Sequence, residues 1–337
     1  MEVHIASEAR YEDMLYKRCG RSGVMLPFLS LGLWHNFGEE SPYSNAREMV
    51  LGAFDRGITY FDIANNYGPP PGSAEECFGK IVRNELAAYR DELFIATKAG
   101  YRHWPGPYGE WGSKKNLVAS CDNSLRRLGL DYVDLFYHHR PDRNTPIEET
   151  IEALEYIVRS GKALYVGISN YDSVLSENIL KAMEAKGIHC LVHQVNYSMF
   201  DRRPEEKLMP VLESHGVGAA AYMCLAQGIL TDRYFEGVRE GSRAAGNSVF
   251  LNAEQVTDQK MATAKKLNEI AGERGQTLAQ MALAWCYRTA PVATLIIGAS
   301  RLSQIDDNLK AMGNLTFSAE ELEKIDELLA PYAREAF

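Results

Sequence analysis

Short apolar runs and longer stretches with helical periodicity alternate along most of the chain. The runs are rich in β-branched and aromatic residues, whereas apolar residues recur at every third or fourth position in the stretches between them. Because the runs are apolar at consecutive positions, they are typical of parallel strands covered by helices on both faces. We therefore predict strands at Leu26–Leu33, Thr59–Ala64, Leu93–Thr97, Val133–Tyr137, Ala163–Ile168, Leu191–Val195, Val217–Tyr222 and Ala293–Ile297.

Helices are predicted between the strands, with local signals at several of their ends. Glu76 follows Ser73 at the spacing of a capping box, and Gly129 follows a helical stretch as a C-cap residue would. A turn at 20–23 predicts a hairpin over residues 15–25. The predicted helices are Asn45–Arg56, Ser73–Ala87, Asn116–Leu128, Ile147–Ser160, Val174–Lys186, Glu205–Ser214, Asp258–Arg274, Thr277–Arg288, Leu302–Met312 and Ala319–Leu329.

The order of these elements favours one closed α/β barrel. Eight β-α units with no change of composition that would mark a linker fit a (β/α)8, or TIM, barrel, with residues 1–337 as a single domain. The hairpin precedes the barrel, extra helices follow it, and a polar insertion at Thr231–Thr257 interrupts the alternation. A doubly wound sheet is the alternative, but it would carry a G-x-G-x-x-G turn after its first strand, and the sequence has none.

Composition and charge narrow the class of protein. Hydrophobic residues make up 46% and charged residues 24%, and the net charge of −9 argues against nucleic acid or an anionic membrane as a partner. The six cysteines have no spacing suited to zinc, so we expect reduced thiols, no metal and a reducing compartment. Neither a signal peptide nor an apolar run of about 18 residues is visible. We expect a cytoplasmic protein that acts on a small molecule, and the sequence allows a homo-oligomer.

Polar and ionisable residues follow the apolar strands at the point where each strand ends. Because the active site of a TIM barrel lies at the C-terminal ends of its strands, these residues form a candidate site. Each also has a purely structural interpretation: Asp62 could cap a loop, Lys98 could be a solvated surface residue, and Ser169 is a good N-cap. The residues at the strand ends are Trp34, Asp62, Lys98, His139, Ser169, Asn170, Gln194, Asn196, Tyr222 and Gly298–Ser300.

Four residues in and near this ring suit acid–base chemistry. Burying Lys98 is costly without a counter-ion, and Asp62 on the neighbouring strand would offset that cost. An ammonium group near a phenol lowers the pKa of the phenol, which would make Tyr67 a general acid. His139 on the next strand would hydrogen-bond the same substrate oxygen. The set suits carbonyl reduction, in which hydride arrives from a nicotinamide.

The sequence around these residues resembles the aldo-keto reductase superfamily over nearly the whole chain. Asp62, Tyr67, Lys98 and His139 match the catalytic tetrad of that family. By strand alternation, His138 would then face the helix layer. The matching segments are Phe61–Gly68, Ala96–Lys98, Phe136–Arg140, Gly167–Asn170 and Ala226–Thr231.

Two further segments are similar to one branch of the superfamily. Tyr67–Glu76 and Trp104–Gly109 resemble the bacterial L-glyceraldehyde 3-phosphate reductases, which are related to potassium-channel β subunits. The resemblance implies reduction of small aldehydes or ketones to alcohols, such as glyceraldehyde 3-phosphate or methylglyoxal, with Tyr67 as the proton donor. Arg140 could meet an anionic group, while the aromatic residues could line the site or simply pack their loop. The candidate substrate residues are Trp34, Tyr67, Tyr101, Trp104, Trp111, His139 and Arg140.

The resemblance also implies NADPH as the cofactor. Ser169, Asn170 and Gln194 would hold the nicotinamide carboxamide, and Tyr222 would stack on the ring. The start of a helix with an adjacent arginine suits the 2′-phosphate of NADPH, although ordinary helix capping is the alternative. The implied cofactor residues are Trp34, Asp62, Ser169, Asn170, Gln194, Tyr222, Met223, Cys224, Leu225, Ala226, Gln227, Gly228, Arg233, Arg243, Gly298, Ser300, Arg301, Gln304, Asp307 and Asn308.

The sequence departs from the family pattern at two cofactor positions. Met223–Cys224 stands where relatives have Ser/Thr-Pro, which removes a hydroxyl from the expected pyrophosphate contacts. Gln304 stands where many members have an arginine on the 2′-phosphate, although the similar branch also has glutamine there. NADPH therefore stays the expected cofactor, with NADH as the alternative.

Two functions of other classes compete with the reductase. Lys98 at a strand end could form a Schiff base as a lyase does, but this leaves the Ser169–Asn170 segment and the helix start after Gly298 unexplained. A redox-sensing regulatory subunit that binds NADP(H) and turns over slowly is the second alternative.

Overall fold

The computed structural model describes residues 4–237 and 256–332. Its strands are β1 (Tyr16–Arg18), β2 (Met25–Pro27), β3 (Leu29–Gly32), β4 (Tyr60–Asp62), β5 (Phe94–Ala99), β6 (Val133–His138), β7 (Ala163–Ser169), β8 (Cys190–Asn196), β9 (Gly218–Tyr222) and β10 (Val292–Ile297). Its α-helices are α1 (Tyr43–Phe54), α2 (Ser73–Ile81), α3 (Lys114–Leu128), α4 (Ile147–Arg159), α5 (Ser173–Ala185), α6 (Arg203–Glu206), α7 (Leu208–His215), α8 (Asp258–Glu273), α9 (Leu278–Tyr287), α10 (Leu302–Leu309) and α11 (Ala319–Leu329).

Eight of these strands close into a barrel. In barrel order they are β10, β3, β4, β5, β6, β7, β8 and β9, and every neighbouring pair is parallel. Helices pack on the outer face, where α3 contacts β5 and α9 contacts β10. The predicted TIM barrel is therefore confirmed, together with its N-terminal hairpin and the helices that follow the last strand.

The N-terminal hairpin covers the end of the barrel at which the strands begin. β1 and β2 pair antiparallel, and Cys19 and Leu26 belong to the same buried cluster as the barrel residues Tyr60 and Leu135. The Arg21 amide donates a hydrogen bond of 2.8 Å to the carbonyl of Gly216, just before β9. The hairpin thus leaves the opposite face, where the strands end, for a functional site.

The apolar run Leu26–Leu33 proves to be two strands rather than the one predicted. Its first residues belong to β2 in the hairpin, and its later residues form β3 in the barrel. The break falls at Phe28, whose amide turns away from the barrel to the carbonyl of Leu15 at 2.8 Å. The residues of the run on both sides of the break, Leu26–Pro27 and Leu29–Leu31, are buried, so hydrophobicity alone does not mark the boundary.

Two helices also differ from the prediction. The capping box at Ser73 does not form, because Gly72 occupies the N-cap with a φ of 94° and the Ser73 hydroxyl donates to Pro70 O at 2.7 Å. The predicted helix Glu205–Ser214 is divided into α6 and α7 at Lys207, where φ is −126°. Gly129, by contrast, is the predicted left-handed C-cap of α3, with a φ of 66°.

The cysteines carry free thiols, and all of them except Cys77 are buried. Within residues 4–237 and 256–332, no three histidine, cysteine or acidic side chains cluster in a way that could hold a metal ion. None of the helices in these two ranges is long and apolar enough to cross a membrane.

Candidate active site

The ends of three neighbouring strands bring three ionisable side chains to the same face of the barrel. Asp62 is the last residue of β4, Lys98 lies near the end of β5, and His139 follows β6 directly. In the register of these strands, Asp62 lies opposite Ala96, and Ala99 lies opposite His138. Parallel strands end at the same edge, so residues that are distant in sequence become neighbours.

Lys98 is fully buried at the centre of this group. Its Nζ atom donates hydrogen bonds to Asp62 Oδ2 at 2.6 Å, to the carbonyl of Ile63 at 2.8 Å and to Tyr67 Oη at 3.3 Å. The side chains of Lys98 and Asp62 are 0% and 3% exposed, respectively, so the ion pair is shielded from water. Burial lowers the pKa of Lys98, and the adjacent Asp62 carboxylate opposes this shift.

The second oxygen of Asp62 is also occupied by protein groups. Gln194 Nε2 donates to Asp62 Oδ1 at 2.8 Å, and the Tyr60 hydroxyl approaches the same oxygen at 3.4 Å. Tyr60 in turn shares a hydrogen bond of 2.7 Å with the Tyr137 hydroxyl inside the barrel. The carboxylate therefore faces the protein and holds Lys98, and it is not directed at a substrate.

Tyr67 reaches this group from the loop that follows β4. Its hydroxyl accepts the hydrogen bond from Lys98 and donates to none of the residues in the described ranges. Burial raises the pKa of Tyr67 well above its ordinary value, and the charge on Asp62 adds to the effect. The sequence predicted the opposite direction. The difference arises because the phenol is buried, and burial disfavours the charged phenolate more than the sequence could indicate.

His139 lies beside Tyr67 on the same face. Its ring is edge-on to Tyr67, with centroids 6.0 Å apart, and edge-on to Tyr101 at 4.6 Å. Burial, followed by the positive charge of Lys98, holds the pKa of His139 well below its ordinary value, so the imidazole is neutral at pH 7. The adjacent His138 is buried, and its Nδ1 atom lies 2.6 Å from the Tyr171 hydroxyl.

The loop that carries Tyr67 is tied to the barrel by a buried carboxylate. Glu75, in the first turn of α2, is fully buried and accepts hydrogen bonds from Thr97 Oγ1 at 2.5 Å and from Arg127 Nε at 2.7 Å. Thr97 is the neighbour of Lys98 on β5, and the Tyr67 carbonyl accepts from the Gly72 amide at 3.0 Å. This network links the backbone on both sides of the contact between Tyr67 and Lys98.

The predicted nicotinamide residues lie at the ends of β7, β8 and β9. Ser169 Oγ is buried and has no hydrogen-bond partner in the described part of the chain, so it can accept or donate toward a ligand. Asn170 has a φ of 62°, donates to His139 O at 3.0 Å and accepts from the Tyr222 hydroxyl at 2.7 Å. Gln194 donates one N–H to Asp62, as described above. The structure brings all of them next to the tetrad.

The loop after β9 has an unusual backbone. Met223, Ala226 and Gln227 have φ values of 61°, 45° and 58°, a left-handed conformation that non-glycine residues rarely adopt. Such strain is concentrated at ligand sites. The Cys224 thiol is buried and bonds the Ala221 carbonyl at 3.4 Å, so only its backbone could meet a ligand. Leu225 and Gly228 complete this loop, and the guanidinium of Arg233, an exposed residue, passes close to Gly228.

The predicted site for the 2′-phosphate lies at the start of α10. The Ser300 amide and hydroxyl both donate to Gln304 Oε1, at 2.8 and 3.3 Å. Gln304 thus caps this helix start. Arg301 is exposed and forms no ion pair with any residue in 4–237 or 256–332, and Gly298 is exposed beside it.

Two further predicted cofactor residues near the end of α10 have different surroundings. Asp307 is exposed and forms an ion pair of 2.8 Å with Lys310, which directly follows the helix, whereas Asn308 is buried. Arg243, also predicted as a cofactor residue, lies outside the described residues.

Two tryptophans predicted at the mouth of the site have different surroundings. The Trp34 ring lies 6.1 Å from the Tyr67 ring, and so it borders the tetrad. The Trp104 ring packs edge-on against His103 at 5.6 Å, within its own loop.

Arg140 contacts two aromatic rings and a carboxylate. Its Cζ atom lies 4.2 Å from the centroid of the Tyr101 ring and 3.9 Å from that of the Trp111 ring. Its Nε atom donates to Gly100 O at 3.2 Å, and its Nη2 atom pairs with the Glu110 carboxylate. The predicted anion-binding residue therefore already has a counter-ion.

Comparison with known proteins decides the family. Residues 28–330 match the model of the aldo/keto reductase family. The chain belongs to this family. It is 50% identical over 332 residues to L-glyceraldehyde 3-phosphate reductase of Escherichia coli K12, covering 97% of this chain and 96% of that protein. It is 36% identical over 324 residues to a probable voltage-gated potassium channel subunit beta of Arabidopsis thaliana, covering 94% and 97% of the two chains.

Three residues of this aldo/keto reductase escaped the sequence analysis. Tyr60 stands two positions before Asp62, and strand alternation alone places both on the same face. Glu75 lies inside the quoted Tyr67–Glu76 segment, but only the packing shows which of its two glutamates is buried. Glu110 had no signal, because a glutamate in a polar loop is ordinarily solvated.

Proposed function

We propose that this aldo/keto reductase uses NADPH to reduce small aldehydes and ketones to alcohols, with Tyr67 as the proton donor. One observation carries the proposal. The Lys98 ammonium, paired with Asp62 at 2.6 Å, also contacts the Tyr67 hydroxyl at 3.3 Å at the mouth of the barrel. A phenol that accepts from an ammonium keeps its own proton available for a substrate oxygen.

Each residue of the tetrad then has a distinct task. Bound NADPH supplies a hydride to the carbonyl carbon of the substrate. Tyr67 gives its proton to the carbonyl oxygen, and Lys98 stabilises the phenolate that remains. Neutral His139 donates one N–H to the same oxygen and orients it. Asp62 keeps Lys98 charged in its buried position and does not touch the substrate.

The chain's own residues fit the cofactor at both ends. At the nicotinamide end, the buried Ser169 hydroxyl lacks a partner among the described residues and lies beside Asn170 and Gln194. At the other end, Arg301 is exposed and unpaired within the same ranges, at the N-terminus of α10. An arginine at a helix start is a suitable site for a phosphate monoester.

The substrate class follows from the relatives and from Arg140. Two relatives, each 50% identical to the chain, are named L-glyceraldehyde 3-phosphate reductase, so we propose a small phosphorylated aldehyde as substrate. Arg140 supplies a cation near the tetrad, because the Tyr101 ring contacts both Arg140 and His139. Dicarbonyls such as methylglyoxal form a second group of candidates.

Replacing Arg301 with alanine tests the cofactor assignment. We expect the wild type to oxidise NADPH with glyceraldehyde 3-phosphate, and Arg301→Ala to raise the KM for NADPH by about tenfold or more, because a charge-assisted bond is lost. The KM for NADH should stay within about twofold, since NADH has no 2′-phosphate. Steady-state oxidation followed at both cofactors measures the two constants.

Arg159→Ala is the matched control for this experiment, because Arg159 lies on the outer helix α4 with its side chain 67% exposed. An equal rise in KM for NADPH and NADH in Arg301→Ala would contradict the assigned phosphate site. Tight NADPH binding without turnover on any aldehyde would instead favour the regulatory subunit.

The pH dependence tests the protonation state of His139. Because burial and Lys98 hold the pKa of His139 well below 6.5, the neutral form persists as pH falls from 8 to 6. We therefore expect kcat/KM to show no acidic limb from this residue near its ordinary pKa. A limb at about pH 6.5 that disappears in His139→Gln would refute the neutral imidazole.

A further inference from the structure

Arg140 and the groups around it form a cluster next to the tetrad that takes no part in the proposed hydride and proton transfers. We call Arg140, Gly100, Tyr101, Trp111 and Glu110 the arginine clamp. Tyr101 connects the clamp to the reacting centre, because its ring contacts Arg140 at 4.2 Å and His139 at 4.6 Å. An anionic group on a small aldehyde could therefore approach Arg140 while the carbonyl meets His139.

The guanidinium has positioning contacts other than Glu110. Its Cζ atom lies 4.2 Å from the Tyr101 ring centroid and 3.9 Å from the Trp111 ring centroid, and its Nε atom donates to the Gly100 carbonyl at 3.2 Å. The cation–π contacts and this hydrogen bond both restrict the position of the guanidinium. Glu110 adds a counter-ion to a group that these contacts already restrict.

Glu110 also occupies a guanidinium nitrogen of Arg140 that could bind an incoming anion. It pairs with Nη2, and the two side chains are 21% and 32% exposed, so an incoming anion can reach the pair. The nearby Asp142 cannot take over this role, because its oxygens accept from the Gly112 and Asn144 amides at 3.0 and 2.9 Å and from Thr145. In the described part of the chain, Glu110 is the carboxylate paired with Arg140.

We propose that Glu110 is a specificity-determining residue that acts as an exchangeable counter-ion of Arg140. An anionic substrate must displace the carboxylate, whereas a neutral aldehyde leaves the pair intact. A phosphate dianion interacts with the Arg140 guanidinium more strongly than the singly charged Glu110 carboxylate does. The phosphate can therefore displace Glu110, whereas a weaker anion cannot. This inference rests on the proposed reduction of small aldehydes.

The test compares one anionic and one neutral substrate of the same carbon skeleton. The KM and kcat for L-glyceraldehyde 3-phosphate and for L-glyceraldehyde are measured in the wild type and in Glu110→Gln, with saturating NADPH. We expect Glu110→Gln to lower the KM for the phosphorylated aldehyde about twofold to fivefold, the range of a partly exposed ion pair. Its kcat, and both constants for the neutral aldehyde, should stay within experimental error.

Two further variants separate this effect from general changes. Glu155→Gln removes the same charge from the outer surface of α4, where Glu155 pairs with Arg159, and should leave both KM values unchanged. In an Arg140→Met background, Glu110→Gln should no longer change the KM for the phosphorylated aldehyde, because the pair no longer exists.

The outcomes are distinct. An unchanged or higher KM for the phosphorylated aldehyde in Glu110→Gln, or an equal change for both aldehydes, overturns the counter-ion role while the reductase stands. The same fall in KM in the Arg140→Met background also overturns it. A wild type that reduces neither aldehyde overturns the proposed function and this inference together.

Discussion

Replacing Tyr67 with phenylalanine is expected to lower kcat by at least about a thousandfold and to leave the Kd for NADPH within about twofold. The phenylalanine ring keeps the contacts with Trp34 and His139, but it has no proton to donate. The proton would then have to come from water, in a site where Lys98 offers only an ammonium already bonded to Asp62 and Ile63. Steady-state kinetics and a fluorescence titration of NADPH measure the two quantities.

The control for this variant is Tyr165→Phe, because Tyr165 lies near the start of β7, far from the strand ends, and is 36% exposed. It removes the same hydroxyl group from the molecule and should leave kcat unchanged. Turnover in Tyr67→Phe within about tenfold of the wild type would show that another group donates the proton.

The barrel was predictable because strands that are buried on both faces have a recognisable pattern in the sequence. Each strand between two layers must be apolar at consecutive positions, so the β-α alternation can be counted. The boundary at Phe28 was not predictable, because buried residues lie on both sides of it and form one apolar run. The absent capping box at Ser73 has a similar cause. Its hydroxyl bonds Pro70 instead, and only the path of the loop determines that choice.

The candidate site was predictable as a set of neighbours but not as a network of hydrogen bonds. Consecutive strands of a parallel barrel lie side by side, so Asp62, Lys98 and His139 had to meet. No sequence rule shows that Gln194, 132 residues away, donates a hydrogen bond to Asp62. The predicted direction of the Tyr67 pKa shift was wrong because the shift depends mainly on how deeply the phenol is buried, which the sequence does not show.

Replacing Lys98 with methionine is expected to abolish turnover and to destabilise the fold at the same time. The variant cannot stabilise the Tyr67 phenolate, so we expect kcat to fall by at least about a thousandfold. It also leaves the Asp62 carboxylate, 2% exposed, without its counter-ion. Breaking a buried pair from one side costs about 3–5 kcal/mol. Thermal unfolding and steady-state kinetics report the two effects separately.

The double variant Asp62→Asn/Lys98→Met distinguishes the structural role of the pair from its chemical role. Removing the carboxylate charge as well should recover most of the lost stability, because no buried charge is left unpaired. Turnover should not recover, since no cation remains beside Tyr67. Lys181→Met, on the outer face of α5 with its side chain 66% exposed, controls for the loss of a lysine. If activity returned together with stability in the double variant, Lys98 would serve only to fold the site.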